Sequence, residues 1–298
     1  MLAMELKQLK IGDHNMWTLY QVILRVLSPI HIGWKKTSNL QQTRYYVPAK
    51  TIWGALTARI TRDLNSSEYE KIGHKINENL RFSYFYPSDN DSKVDEFPWE
   101  DNNRFTWKYI GSYQSAALEN KTAIEGMLHE TEYILPKTRE GKQVFLIGYI
   151  IENDEIEKNG FDIDWKTALP KIQIGGERGY GWGRVAIEKE PNKCNTFFDY
   201  EFDSSKTEPV IKVPKDKFIL AHTCAEQQEK ADPKIEGNIE PFVGRITTEN
   251  GKFGAQFSEV NICWTPGSKV ISCSKNFKVS EFNICEDGIW SINLDQKL

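Results

Sequence analysis

The run Leu19-Tyr-Gln-Val-Ile-Leu-Arg-Val-Leu27 is β-branched and apolar with Arg25 inside it, and Ser28-Pro29 ends it, which predicts a strand. From Gly33 to Tyr46 the chain is polar and basic, with Lys35, Lys36, Asn39, Gln41, Gln42 and Arg44, the pattern of a loop not committed to a core. Beyond Pro48 the apolar positions change to helical spacing. Ile52, Ala55, Leu56 and Ile60 share one stripe while Lys50, Arg59 and Arg62 can point away, predicting an amphipathic helix from Thr51 to Leu64. Ser67–Leu80 is a polar, helix-like stretch. Residues 87–101 carry turn chemistry and acidic charge and read as a solvated surface insertion, available for partner contact.

Met127–Leu135 and Gln143–Ile151 are strand-like runs separated by hairpin-like punctuation at 136–142, so they are expected to pair antiparallel. Asp162–Ala168 reads as a short helix. Lys171–Ile174 reads as a strand entering the glycine-rich turn at 175–183, with Arg184–Glu188 as the strand leaving it. Polar sequence at 188–195 and 203–209 marks a boundary, which gives domains at 1–195 and 196–298. The second part is mostly β, with strand signals at 217–224, 254–264 and 268–273 and Pro266-Gly267 as a hairpin turn between the last two.

Length and composition support this reading. The chain has 298 residues, enough for two domains at roughly 150 each. With 39% hydrophobic and 27% charged residues it is neither disordered nor fibrous. No apolar run approaches the ~18 residues of a membrane helix, and Met1–Trp17 mixes Lys, Glu and Asp with apolar residues instead of forming a signal-peptide core. The expectation is a cytoplasmic protein that meets no membrane. Cys194, Cys224, Cys263, Cys273 and Cys285 form no CxxC pair, so they are expected as reduced thiols and not as a disulfide or zinc framework.

Charge changes the picture more. The net charge is −4, which would argue against a nucleic-acid partner. Yet residues 1–62 hold nine Lys and Arg against only Glu5 and Asp13, a net of +7, leaving −11 on the rest. A basic quarter on an acidic body suits a protein that holds a polyanion on one face.

The candidate chemistry is concentrated in one segment. Gly175, Gly176, Gly179, Gly181 and Gly183 are interleaved with Arg178, Tyr180, Trp182 and Arg184. Glycine lets backbone N–H groups approach a polyanion, arginine forks onto phosphate and an aromatic ring stacks on a base, so together these are the parts of an RNA-backbone cradle. It lacks the Gly-Lys-Ser/Thr of a phosphate loop and is not followed by a helix as a dinucleotide fingerprint is. The alternative is a glycine-bulged hairpin that only lets Tyr180 and Trp182 pack. Carboxylate-rich segments at 87–101 and 152–164 lack metal-ligand spacing, so no metal and no cofactor are expected. His31 and His129 are the candidate general acid/base residues, without a second catalytic partner identifiable by spacing.

Three motifs, in order, resemble the RAMP superfamily of CRISPR effector subunits over residues 17–190. They are Ser28-Pro-Ile-His-Ile-Gly33, Tyr45-Tyr-Val-Pro-Ala-Lys-Thr-Ile-Trp-Gly-Ala-Leu56 and Gly175-Gly-Glu-Arg-Gly-Tyr-Gly-Trp-Gly-Arg184. Ala49 departs from the pattern, standing where the family usually has glycine. The resemblance implies an α+β architecture, a ferredoxin-like (RRM-like) RAMP domain that binds crRNA, followed by a β-rich or second ferredoxin-like C-terminal region. Target-cutting backbone members carry an aspartate in the loop after the first strand. Residues 33–46 contain no Asp or Glu, so no target cleavage is expected there.

Among the kinds of member, the chain is most similar to the non-catalytic subunit that caps the crRNA at its 5′ repeat-derived tag. The expected partners are then crRNA and the large and backbone subunits of a type III-like complex. Lys35, Lys36, Arg44, Lys50, Thr51, Arg178 and Arg184 are the expected phosphate contacts, with Tyr180 or Trp182 as the stacking group. A metal-independent repeat endoribonuclease using His31 or His129, and a backbone or scaffold subunit, are the alternatives.

Overall fold

A computed structural model of the chain describes residues 16–119, 122–154, 164–225, 233–246, 256–273 and 278–293. Lys7, Lys10, Glu5 and Asp13, the leader reading of residues 1–15 and most of the acidic stretch 152–164 lie outside the described residues. In chain order the first part contains β1 (Trp17–Val26), β2 (Gly33–Thr37), β3 (Leu40–Thr43), α1 (Ala49–Asp63), α2 (Tyr69–Asn79), β4 (Leu80–Phe82) and β5 (Tyr86–Ser88). Then come α3 (Asn102–Tyr109), β6 (Ile110–Glu119), β7 (Thr122–Ile134), β8 (Phe145–Asn153), α4 (Trp165–Ala168) and β9 (Val185–Cys194).

The central sheet has the order β4-β8-β1-β9, and every neighbouring pair is antiparallel. With α1 between β1 and β4, and α4 between β8 and β9, this is the βαββαβ wiring of a ferredoxin-like domain. Its second strand is broken. β4 and β5 both pair with β8, and between them Phe85 forms a two-way backbone bridge with Val47. That bridge fixes the chain immediately before α1.

β1 alternates little because it is covered on both faces. Ile52, Leu56 and Ile60 of α1 join its main core cluster, while Ile23, Phe145 and Ile147 form a second cluster with Val94. Val94 belongs to the 87–101 segment, which corrects the reading of that segment as a solvated insertion. Phe97 and Trp99 stack at 5.1 Å and meet Tyr86 edge-on. Asp89 accepts from Lys108 (2.6 Å), Lys142 (2.9 Å) and the Tyr109 hydroxyl (3.0 Å). Burial would raise the Asp89 carboxyl, but these donors hold it well below the usual carboxylate range. The sheet face that an open RRM would offer to bases is therefore covered.

Three further expectations are corrected. Residues 33–43 are a β2–β3 hairpin, not an uncommitted loop, and β3 joins β7 in the sheet β2-β3-β7-β6. β7 and β8 do not pair with each other. The 136–142 turn does close, through Val144 N–H to Pro136 O and a Lys137–Gln143 bridge, but beyond it β7 pairs with β6 and β8 with β1. Lys171–Ile174 is not a strand, because a single 3₁₀ turn at Leu169–Lys171 precedes an isolated Gln173–Arg184 bridge.

The remaining strands are β10 (Thr196–Phe197), β11 (Tyr200–Asp203), β12 (Val210–Pro214), β13 (Thr223–Cys224), β14 (Lys234–Glu236), β15 (Ile239–Phe242), β16 (Arg245–Ile246), β17 (Gln256–Phe257), β18 (Asn261–Trp264), β19 (Lys269–Ser272), β20 (Val279–Ile284) and β21 (Trp290–Ile292). An eight-stranded sheet runs β10-β11-β12-β20-β21-β13-β18-β15. The C-terminal region is thus β-rich. Pro266-Gly267 turns the chain, with Gly267 at φ +90°, but β18 pairs with β13 and β15 while β19 pairs with β14, so no hairpin forms there. Phe197, Ile211, Phe282 and Trp290 share one continuous core with Leu19, Val22 and Leu56. No helix among the described residues is long and apolar enough to cross a membrane.

Candidate nucleic-acid interface

Residues 28–32, leaving β1, form a rib to which the other motifs attach. On one side the glycine-rich loop is bonded to it: Gly176 N–H donates to His31 O (2.9 Å), Gly183 N–H to Pro29 O (2.7 Å) and Arg184 N–H to Ser28 Oγ (2.9 Å). On the other side Ile30 pairs with Ile134, Arg44 N–H donates to Ile32 O (2.7 Å), and Thr43 Oγ1 accepts from Ile32 N–H (2.9 Å). Gly175 (φ +83°) and Gly183 (φ +80°) cannot be other residues, because a Cβ at either would collide with the backbone oxygen of His31 or Ile174. Gly179 has neither a positive φ nor an atom within 4 Å of where a Cβ would stand, so nothing inside the protein requires it.

Helix α1 starts beside this rib. Pro48 stands at its N-cap without a side-chain cap bond, and its first turn holds no acid. Lys50 occupies that turn instead, where the helix dipole opposes a cation, and burial lowers its pKa, with the Asp287 carboxylate pulling the other way. Among the described residues Lys50 makes no hydrogen bond or ion pair. The departure at Ala49 has a local counterpart: Gly288 (φ +75°) lies directly against the Ala49 methyl group, where any side chain would collide.

These elements enclose a cleft of ≈ 700 Å³. It is lined by the glycine-rich loop through Gly175, Gly176 and Arg178, by Lys50 and Thr51 at the start of α1, by His31 and Arg44, and from the C-terminal region by Arg245 and Phe257. Trp34 and Trp53 add aromatic wall. No Asp or Glu among the described residues lines it. Arg245 holds its guanidinium 4.9 Å from the Phe257 ring. Arg44 is internally neutralised, donating to Glu240 Oε1 at 2.6 Å and to the Tyr46 hydroxyl at 3.1 Å.

Of the sequence candidates, Arg44, Lys50, Thr51, Gly175, Gly176 and Arg178 come together here. Lys35, Lys36, Gly179, Tyr180, Gly181, Trp182, Gly183 and Arg184 do not line the cleft. Tyr180 is 84% exposed and stands free, whereas Trp182 packs edge-on against Tyr133 at 5.0 Å. Sequence reasoning missed Trp34, Trp53, Arg245 and Phe257. Trp34 beside Lys35-Lys36 was a readable aromatic–basic signal, but nothing in the sequence ties Arg245 and Phe257 to residues about two hundred positions earlier.

The two candidate histidines part company. His31 lines the cleft, and its Nδ1 lies 2.7 Å from the Glu132 carbonyl oxygen, which can only accept, so Nδ1 carries a proton. His129 sits in β7, 2.8 Å from Ser115 Oγ, and lines a separate small cavity. Among the described residues no group of three His, Cys, Asp or Glu could hold a metal ion.

Glu240 ties the cleft to the C-terminal sheet. Its carboxylate accepts from Arg44, from His222 Nε2 (2.7 Å) and from the Trp34 indole N–H (3.0 Å). Burial works against its ionisation, but these donors bring its pKa down to about 2. Burial also lowers His222 despite the Glu240 bond, so the ring is neutral, donating from Nε2 and accepting the Tyr84 hydroxyl at Nδ1 (2.6 Å).

A profile of the RAMP superfamily matches residues 23–186, from β1 through the glycine-rich loop. No curated protein matches. Among solved structures, a chain of the Type III-B Cmr-beta bound to cognate target RNA and AMPPnP is 14% identical, with a TM-score of 0.45 over 84% of this chain and 85% of its own. A chain of the Type III-B Cmr-beta bound to cognate target RNA is 8% identical, with a TM-score of 0.40 over 57% of this chain and 96% of its own. Because the profile spans more than half of the sequence and contains all three motifs that build the rib, the helix start and the glycine-rich loop, the chain belongs to the RAMP superfamily.

Proposed function

We propose that the protein is a non-catalytic crRNA-binding subunit of a type III-like CRISPR ribonucleoprotein, holding the 5′ repeat-derived tag of the crRNA in the cleft. One observation carries this reading. A cleft that gathers Lys50, Arg178 and Arg245 around an uncapped helix start and a glycine-rich backbone, with no carboxylate among its described lining, suits a phosphodiester chain and little else. A lysine in the first turn of a helix and a glycine that the fold does not need both cost stability. Such departures from local rules collect at binding sites. The action is positioning: phosphates are gripped along the loop and helix start, and bases meet Trp34, Trp53 or the exposed Tyr180. Large and backbone subunits of the complex are the protein partners, and the cell interior is the site of action.

A metal-independent repeat endoribonuclease has one observation in its favour, the cleft position of His31 with Nδ1–H fixed by Glu132. Incubating the purified protein, in EDTA, with labelled CRISPR repeat RNA on paired native and denaturing gels separates the readings. Retention of the 5′-tag half without cleavage is the expected result. A single metal-free cut, lost in His31→Ala, overturns the non-catalytic assignment. Failure to retain RNA leaves the scaffold reading.

A further inference from the structure

Trp34 and Arg44 line a second cavity, of ≈ 510 Å³, on the side of the β2–β3 hairpin that faces Trp99 and Asn238. We propose that this cavity receives one nucleobase turned out of the strand lying in the cleft; the proposal rests on the RNA-binding reading above. The wall chemistry changes across Trp34. The cleft is lined by cations without carboxylates, whereas the second cavity is walled by Trp34, Tyr45 and Trp99 and sets the ionised Glu240 beside Lys35 and Arg44. Aromatic walls stack on a base, and Glu240 Oε2, which accepts only the Trp34 indole N–H among the described residues, can accept from an N–H of a base edge, so the two cavities sort a nucleotide into its two halves.

The site is preformed. Glu240 fixes the Trp34 indole at 3.0 Å and Lys35 Nζ stands 4.2 Å from the ring centre, so the ring is a set surface that a base meets without reordering it. At the rim Asn102 and Asn238 are exposed, and neither amide makes a hydrogen bond among the described residues. The cavity volume lies in the range that encloses small ligands. A base inserted there stays joined to a backbone in the cleft, because Arg44 and Trp34 form part of both walls.

The test is an abasic scan. Labelled single-stranded repeat RNA of about ten nucleotides, a span suited to one binding domain, is titrated intact and with one base removed at each position in turn. The expected profile has one position at which base loss weakens binding about tenfold, the effect of losing one stacked base. Trp34→Ala weakens binding of intact RNA and erases that position's penalty. Asn102→Ala with Asn238→Ala, at exposed sites that leave the fold intact, shrinks the penalty by roughly fivefold. Bound RNA with a flat abasic profile, or a penalty unchanged in both variants, overturns the base site while the cleft reading stands. No binding of the intact RNA overturns the RNA-binding reading itself.

Discussion

The salt dependence of RNA binding distinguishes cations that line the cleft from those that only precede it in the sequence. Each phosphate contact to a single strand releases counterions worth a slope of about 0.7 in log Kd against log salt, or a factor of about 2.5 between 50 and 200 mM. Lys50 and Arg178 line the cleft and form no ion pair among the described residues, so Lys50→Ala and Arg178→Ala should each lower the slope by about 0.7, and the double variant by about 1.4. Lys36 and Arg184 lie outside it, and Lys36→Ala and Arg184→Ala should leave the slope unchanged. Arg44 is held by Glu240 and should contribute little to counterion release despite lying in the wall. The assay is fluorescence anisotropy of labelled tag RNA at four salt concentrations. A slope that falls equally for the Lys36 and Lys50 variants would refute the reasoning, since it would place the strand along the hairpin instead of in the cleft.

Glu240→Gln removes the only anion among three donors and should cost about 3 kcal/mol at neutral pH in chemical denaturation. Because Glu240 is lowered to about 2 in the folded protein, it contributes stability above its ordinary value near 4.5 that is lost as pH falls toward about 2, so the gap between wild type and variant should close over that window. Gly288→Ala places a methyl group against Ala49 and 2.9 Å from Phe82 O at φ +75°, for a loss of about 3 kcal/mol. Ala49→Gly in the same molecule should recover the part due to the Ala49 collision but not the backbone part, and purely additive effects would exclude the contact. RNA affinity should fall as pH rises through the lowered pKa of Lys50, below the usual lysine range, since the bound phosphate favours the protonated amine; Lys50→Arg should flatten that profile.

Where the sequence spoke locally, the fold followed. β1, α1 and the glycine-rich turn were readable because periodicity and turn residues act within a few positions. The 127–151 hairpin misled because a closed turn does not choose strand partners: β7 is taken by β6, whose Gly-Ser-Tyr-Gln-Ser-Ala-Ala run shows weak alternation, and β8 is drawn into the central sheet. Helix α3 was hidden by its own cap. Asp101, which accepts from Arg104 N–H at 3.0 Å, looked like the end of the acidic segment. Many C-terminal strands are two to five residues long, too short for a period to emerge.

The glycine-rich loop shows how one letter carries different demands. Gly175 is fixed by a collision with His31 O of the rib and Gly183 by one with Ile174 O, whereas a side chain at Gly179 would meet nothing inside the protein. Trp182, which resembled a stacking group, fills space beside Tyr133. The charge split of the N-terminal quarter also means something different in three dimensions. Arg25 pairs with Glu188, Arg44 with Glu240 and Arg59 with Asp63, so much of that positive charge is spent inside the protein. What makes the cleft attractive to a polyanion is that Lys50 and Arg178 form no ion pair among the described residues, and that the chain returns from the C-terminal sheet to add Arg245 at the same wall. A count of charges along the chain pointed to the right face of the molecule, and the pattern of ion pairs decides which few side chains on that face remain to hold RNA.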